Sequence, residues 1–104
     1  MKVLLDACVP RPLRRKLHQH TCKTAQEMKW AALKNGKLLG AAEGKFDVLI
    51  TSDKNIKYQQ NLKDRKLAII VLPTNFLPAV LGLSNKVAAA LARIKPGEFI
   101  EISL

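Results

Sequence analysis

Short apolar runs alternate with amphipathic stretches along this chain. Continuous apolar runs within residues 3–5, 46–51 and 67–72 are typical of strands that are buried on both faces of a parallel sheet. Weaker patterns over residues 21–25 and 98–103 predict one further short strand and an edge strand. The pattern therefore predicts a sheet of four to five strands.

Helical patterns occupy the segments between these strands. Pro10 precedes a basic stretch that predicts the first helix, because proline fits the first helical turn. Residues 26–33 predict one or two helical turns, and residues 37–43 predict a helix that Asn35 caps. Pro78 opens a long last helix, whose apolar positions form one buried stripe. That stripe comprises Val80, Leu83, Val87, Leu91 and Ile94.

Strands that alternate with helices predict an α/β fold, in which a mostly parallel sheet lies between helices on both faces. A length of 104 residues fits one domain over residues 1–104. No apolar run approaches the roughly 20 residues of a membrane span, and the first residues lack the pattern of a signal peptide. We therefore expect a cytoplasmic protein with no membrane partner. Its two cysteines, Cys8 and Cys22, are expected to be buried thiols.

Basic residues outnumber acidic ones by a wide margin. The chain has 18 Lys and Arg against 8 Asp and Glu, a formal net charge of +10. Such a charge attracts polyanions, and the release of counterions favours binding to nucleic acid. An acidic protein partner fits the charge equally well, so charge alone leaves both classes of partner open.

Two predicted buried strands end at a carboxylate. Asp6 follows the first strand and Asp53 follows the strand of residues 46–51. Because binding sites of parallel α/β sheets form beyond the carboxyl ends of the strands, both side chains are candidates for one site. Such a pair suits Mg²⁺ or Mn²⁺, which activates water for phosphodiester hydrolysis. An aspartate after a strand is also a common turn or helix-cap residue, and this alternative stays open.

Five blocks of sequence, in order over residues 2–72, resemble the short bacterial PIN-like proteins of toxin-antitoxin type. The blocks are LLDACVP at 4–10, TAQEMKW at 24–30, LKNGKLL at 33–39, FDVLITSDKN at 46–55 and YQQNL at 58–62. The resemblance implies a PIN-like three-layer fold and a metal-dependent endoribonuclease. It also implies RNA as the substrate, with a cognate antitoxin protein and a second copy of the chain as candidate partners.

Carried over by position, the resemblance implies a catalytic and metal-binding set. Asp6, Glu27 and Asp53 are the implied ligands of Mg²⁺ or Mn²⁺, and Thr51 and Asn55 are supporting polar groups.

Three positions of the pattern carry no carboxylate. Asn35, Asn55 and Ala7 lie where PIN-like sequences often place an acid, and a methyl group at position 7 binds no metal. An attenuated ribonuclease and a non-catalytic module that binds RNA or protein on a PIN-like scaffold are therefore both open.

Basic residues are expected to surround this site and to contact phosphate groups, although a merely solvated basic face is the alternative. The predicted set is Arg11, Arg14, Arg15, Lys54 and Lys57.

Overall fold

A computed structural model of the protein describes residues 1–58 and 65–104. The motif at 58–62 therefore falls largely outside the described residues, and the side chains of Asn35 and Tyr58 also lie outside the description. The strands are β1 (Lys2–Leu5), β2 (Thr21–Thr24), β3 (Val48–Thr51), β4 (Ala68–Val71) and β5 (Phe99–Glu101). The α-helices are α1 (Asn35–Ala42), α2 (Leu77–Gly82) and α3 (Ser84–Arg93), and 3₁₀ helices cover Arg11–Leu17 and Lys54–Tyr58.

The five strands form one sheet in the order β2-β1-β3-β4-β5, and all four neighbouring pairs are parallel. In the centre of the sheet, Val3 of β1 is in register with Val48 of β3. After β1 the chain forms β2 toward one edge of the sheet, and after β3 it forms β4 and β5 toward the other edge. This architecture confirms the predicted α/β class and the parallel sheet.

Apolar side chains of the sheet alternate between two cores. Val3 and Leu5 point into the core that contains the first 3₁₀ helix, α2 and α3. Leu4 points into the opposite core, which contains α1 and Ile56 of the second 3₁₀ helix. Because successive residues of a strand face opposite sides, a strand without polar residues needs cover on both faces. The helices supply that cover and produce three layers.

The last helical region is broken, where the sequence predicts one long helix. Leu83 separates α2 from α3, and its N–H is shared between the carbonyl oxygens of Ala79 at 3.2 Å and Val80 at 3.0 Å. Gly82 and Ser84 beside it are weak helix formers, which favours a break at this point. The predicted stripe is nevertheless buried on all five positions. The prediction of one buried apolar stripe is therefore confirmed, and the prediction of a single long helix is wrong.

The two predicted helical segments before β3 also differ from expectation. Residues 26–33 contain turns, and Lys29, with a φ of 63°, ends the first of them. The backbone of Lys29 is left-handed, and the Trp30 N–H donates to the carbonyl of Ala25 at 2.8 Å, which is a common closure at the end of a helix. Asn35 is the first residue of α1, and Lys34 holds the cap position in extended conformation, so the predicted Asn35 cap is wrong.

Gly97 is the glycine that the fold needs most. Its φ is +77°, and a Cβ built on it would lie 2.8 Å from the carbonyl oxygen of Arg65. Its N–H donates to the carbonyl of Lys66 at 2.8 Å, which joins the turn before β5 to the start of β4.

Within the described ranges, no helix combines the length and apolar character that crossing a membrane requires.

Candidate functional site

The two predicted aspartates lie at the carboxyl edge of the sheet, beside its centre. Asp6 directly follows β1, and Asp53 lies two residues beyond β3. The Asp6 N–H donates to the carbonyl of Ile50 at 2.9 Å, so the ladder between β1 and β3 continues to the aspartate itself. Because the chain turns to opposite sides after β1 and β3, a crevice opens between the two connections. The fold therefore brings Asp6 and Asp53 to the edge where parallel α/β sheets bind ligands.

One buried hydroxyl joins the two aspartate segments. The Thr51 hydroxyl, at the end of β3, donates to Asp6 Oδ2 at 2.7 Å and accepts the backbone N–H of Asp53 at 3.0 Å. Thr51 is fully buried. Cys8 Sγ lies 3.6 Å from the hydroxyl oxygen of Thr51. The Cys8 thiol is the donor in this contact, because the Thr51 hydroxyl already donates its proton to Asp6. Thr51 therefore fixes the distance between the two aspartate-bearing turns.

Both carboxylates also hold local backbone. Asp6 Oδ1 accepts the N–H of Ala7 at 2.7 Å. Asp53 Oδ1 accepts the N–H of Asn55 at 3.0 Å, so Asp53 caps the 3₁₀ helix that begins at Lys54. The sequence left open that Asp53 is a helix-cap residue, and in the structure it is one. Each carboxylate oxygen has two lone pairs, so these bonds leave acceptor capacity toward the crevice.

The crevice is a cavity of about 400 Å³. Both aspartates and Ala7 line it, so the structure brings together three of the residues that the sequence singled out. Cys8 and Lys34 line it as well, although the sequence suggested a role for neither. Cys8 is exposed and Cys22 is half-buried, so the prediction of two buried thiols is wrong. The remaining lining residues are Ala31, Leu33 and Ser52.

No protein-family model, curated protein or solved structure gives a significant match to this chain. The function of the chain is therefore inferred from the geometry of the crevice and from the chemistry of its side chains.

Glu27 is not among the residues that line the crevice. Its Oε1 accepts the N–H of Thr24 at 2.9 Å, while the Thr24 hydroxyl accepts the N–H of Glu27 at 3.1 Å. This reciprocal pair is a capping box, and the same oxygen also bonds the guanidinium of Arg14. The backbone N–H of Thr24, followed by the Arg14 charge, holds the pKa of Glu27 below its ordinary value.

The carboxylate set at the crevice is consequently smaller than the sequence suggested. Over residues 1–58 and 65–104, no three His, Cys, Asp or Glu side chains lie together so that they could hold one metal ion. The structure does not bring Glu27 to Asp6 and Asp53. The motif Thr-x-x-Glu at residues 24–27 is itself a capping-box signature, and this signal in the sequence indicated a structural role for Glu27.

None of the predicted basic residues that the structure describes lines the crevice, whereas Lys34 does line it. Arg14 is engaged with Glu27, and Lys57 Nζ lies 4.0 Å from a carboxylate oxygen of Glu101. Arg11, Arg15 and Lys54 are exposed outside the lining set. Of the predicted supporting groups, Thr51 is central to the site, Asn55 contributes its backbone N–H, and the side chain of Asn35 lies outside the description.

Proposed function

We propose that the chain is a PIN-like, metal-dependent endoribonuclease whose metal is held by Asp6 and Asp53. The observation that carries this proposal is the pair of carboxylates joined through the buried hydroxyl of Thr51 at the centre of the carboxyl edge. Mg²⁺ is typically bound by one or two protein carboxylates, with water and substrate phosphate completing its shell. Two carboxylates with free lone pairs in a cavity of about 400 Å³ fit that requirement.

The charged residues of the crevice would take two roles, metal binding and phosphate binding. Asp6 and Asp53 would hold Mg²⁺ or Mn²⁺, which when bound supplies a Lewis acid and a more acidic water. Lys34 lines the same cavity and would contact a phosphate of the RNA, because an ammonium group is a compact point charge for phosphate. The net charge of +10 favours a polyanionic substrate over a neutral one. A cognate antitoxin protein is the further partner that this proposal entails.

The second candidate is a non-catalytic module that binds RNA or a partner protein. Two observations favour it. Ala7 places a methyl group in the lining of the crevice, and Glu27 is engaged with Thr24 and Arg14. Two carboxylates then face a lysine in the same cavity, which lowers the attraction for a divalent cation.

Metal binding and RNA cleavage separate the two candidates. Mn²⁺ and Mg²⁺ binding is measured by calorimetry on the intact chain, and a panel of RNAs is incubated with each ion. Asp6→Asn and Asp53→Asn should each abolish metal binding and cleavage. Asp47→Asn is the matched control, because Asp47 lies at the opposite end of β3, where its carboxylate accepts the N–H of Lys2. RNA binding without any metal effect would favour the non-catalytic module.

A gain-of-function variant tests the position of Ala7. Ala7→Glu adds a third carboxylate to the crevice and should tighten Mn²⁺ binding at least ~10-fold, or about 1.4 kcal/mol, with a parallel rise in RNA cleavage. Without metal the added charge repels Asp6 and Asp53, so the melting temperature should fall and then recover when Mn²⁺ is added. A variant that melts identically with and without Mn²⁺ and binds no more of it would place position 7 outside a metal site.

A further inference from the structure

A second, larger cavity lies at the opposite edge of the sheet. It has a volume of about 700 Å³ and is bordered by residues at the amino ends of β1, β3 and β4. The crevice of Asp6 and Asp53 is at the carboxyl edge, so the two cavities are separated by the length of the strands. Of the described residues, four lysines line the larger cavity: Lys2, Lys45, Lys66 and Lys95.

The acidic residues of this cavity are bonded to backbone rather than to the lysines. Glu43 accepts the N–H of Lys66 at 2.8 Å and the N–H of Leu67 at 3.1 Å, one with each carboxylate oxygen. Asp47 accepts the backbone N–H of Lys2 at 2.8 Å.

Within the part of the chain that the structure describes, the four ammonium groups form no ion pair with an acidic side chain. Among residues 1–58 and 65–104, none of them lies within 4.0 Å of a carboxylate oxygen. Among the lining residues that the structure describes, two are acidic, Glu43 and Asp47, against these four lysines. A cluster of unpaired cations around a concave surface concentrates the positive potential there and attracts anions.

One aromatic side chain, Phe46, is among the described residues that line the cavity, and a neighbouring ring holds it in place. Phe46 lines the cavity and is half-buried, and its ring packs edge-on against Trp30 with centroids 6.0 Å apart. Lys45 Nζ lies 5.4 Å from the centre of the Trp30 ring, so this lysine is placed by a cation–π contact rather than by an ion pair. A flat ring beside several ammonium groups suits a ligand with a planar base and phosphate groups.

We propose that this cavity binds the phosphate groups of a nucleotide, with Lys45, Lys66 and Lys95 as the phosphate contacts. A volume of about 700 Å³ is within the range of small-molecule sites, and a nucleotide offers both the charge and the ring that the lining residues match. The phosphates belong either to a free nucleotide or to the phosphorylated end of an RNA strand. This site is independent of the metal site proposed at Asp6 and Asp53.

The test compares two triple variants of equal charge. Inorganic pyrophosphate, ADP and a short RNA with and without a 5′-phosphate are titrated into the intact chain by calorimetry. Lys45→Ala, Lys66→Ala and Lys95→Ala together should weaken pyrophosphate and ADP binding at least ~10-fold. The matched control replaces three exposed lysines outside both cavities, Lys16, Lys23 and Lys37, and should change binding less than about threefold. Circular dichroism checks that both variants are folded.

The arms of the titration separate the two sources of phosphate. Tighter binding of ADP than of the RNA assigns a free nucleotide, and a requirement for the 5′-phosphate assigns an RNA end. Asp6→Asn should leave binding at this cavity unchanged, which keeps its outcome apart from that of the metal site. Equal losses in the two triple variants would mean unspecific attraction by net charge and would overturn the proposal. Absence of binding by pyrophosphate and ADP in the unmodified chain would overturn it as well.

Discussion

Substitutions of Thr51 measure how strongly one hydroxyl holds the crevice together. Thr51→Val keeps the shape of the side chain but removes the donor to Asp6 and the acceptor for the N–H of Asp53. Thr51→Ser keeps the hydroxyl and removes only a buried methyl group. The two variants therefore separate the hydrogen bonds of Thr51 from its packing.

The expected magnitudes follow from the two bonds and from burial. A hydrogen bond to a charged acceptor contributes about 1.5–3 kcal/mol, and a neutral one contributes about 1 kcal/mol. Asp6 is only half-buried, so water replaces part of the lost donor, and the extra methyl of valine offsets about 0.8 kcal/mol. Thr51→Val should consequently lower the free energy of unfolding by about 2 kcal/mol. Thr51→Ser loses one buried methyl group and should cost about 1 kcal/mol.

Urea denaturation of both variants and of the unmodified chain gives these values from the transition midpoints at constant slope. For a domain of about 100 residues, 1 kcal/mol corresponds to a shift of about 4–8 °C in melting temperature, so the two variants are readily distinguished. Mn²⁺ binding should weaken in Thr51→Val and persist in Thr51→Ser. If the serine variant is as unstable as the valine variant, or more so, the hydroxyl does not hold the two aspartate segments together.

Two other features give direct tests of stability. Gly97→Ala should destabilise the fold by more than about 2 kcal/mol, because it combines a left-handed φ with a backbone clash at 2.8 Å. Gly40→Ala is its control in α1, at an exposed position with open space, and should stabilise by about 0.5–1 kcal/mol; urea midpoints in the reverse order would contradict this account. Because folding lowers the pKa of Glu27, its carboxylate contributes fully to the free energy of unfolding above the ordinary glutamate pKa of about 4.3. That contribution is lost as the pH falls through the lower pKa of the folded state. Glu27→Gln should therefore be less stable than the unmodified chain at neutral pH, and the difference should vanish in acid; a constant difference between pH 3 and pH 7 would exclude this linkage.

The layered fold could be predicted because its strands carry an unambiguous pattern. A strand with successive apolar residues, such as Val48 and Leu49 of β3, is stable only when both of its faces are covered. The break at Leu83 could not be predicted from the stripe, because the same apolar spacing continues through it and both helices bury the same side. Weak helix formers around the break were visible in the sequence, but tertiary packing decides whether such residues interrupt a helix.

The site was predictable only as far as strand ends determine it. Asp6 and Asp53 meet because parallel strands end at the same edge, and this follows from topology. The position of Glu27 depends on a local competition, in which the N–H of Thr24 and the charge of Arg14 bind the carboxylate. Lys34 reaches the crevice through a connection with no periodic pattern, so the sequence carried no signal for it.

The all-parallel order of the strands also determines when the crevice can form during synthesis of the chain. Parallel neighbours require long connections, and the bond between Thr51 and Asp6 joins residues 45 positions apart. When β1 leaves the ribosome, β3 does not yet exist, and the apolar side chains of β1 remain without their central partner. Closing such loops costs entropy before the contacts form, which slows folding. A nascent chain of this protein therefore carries its first aspartate long before it can assemble a site around it.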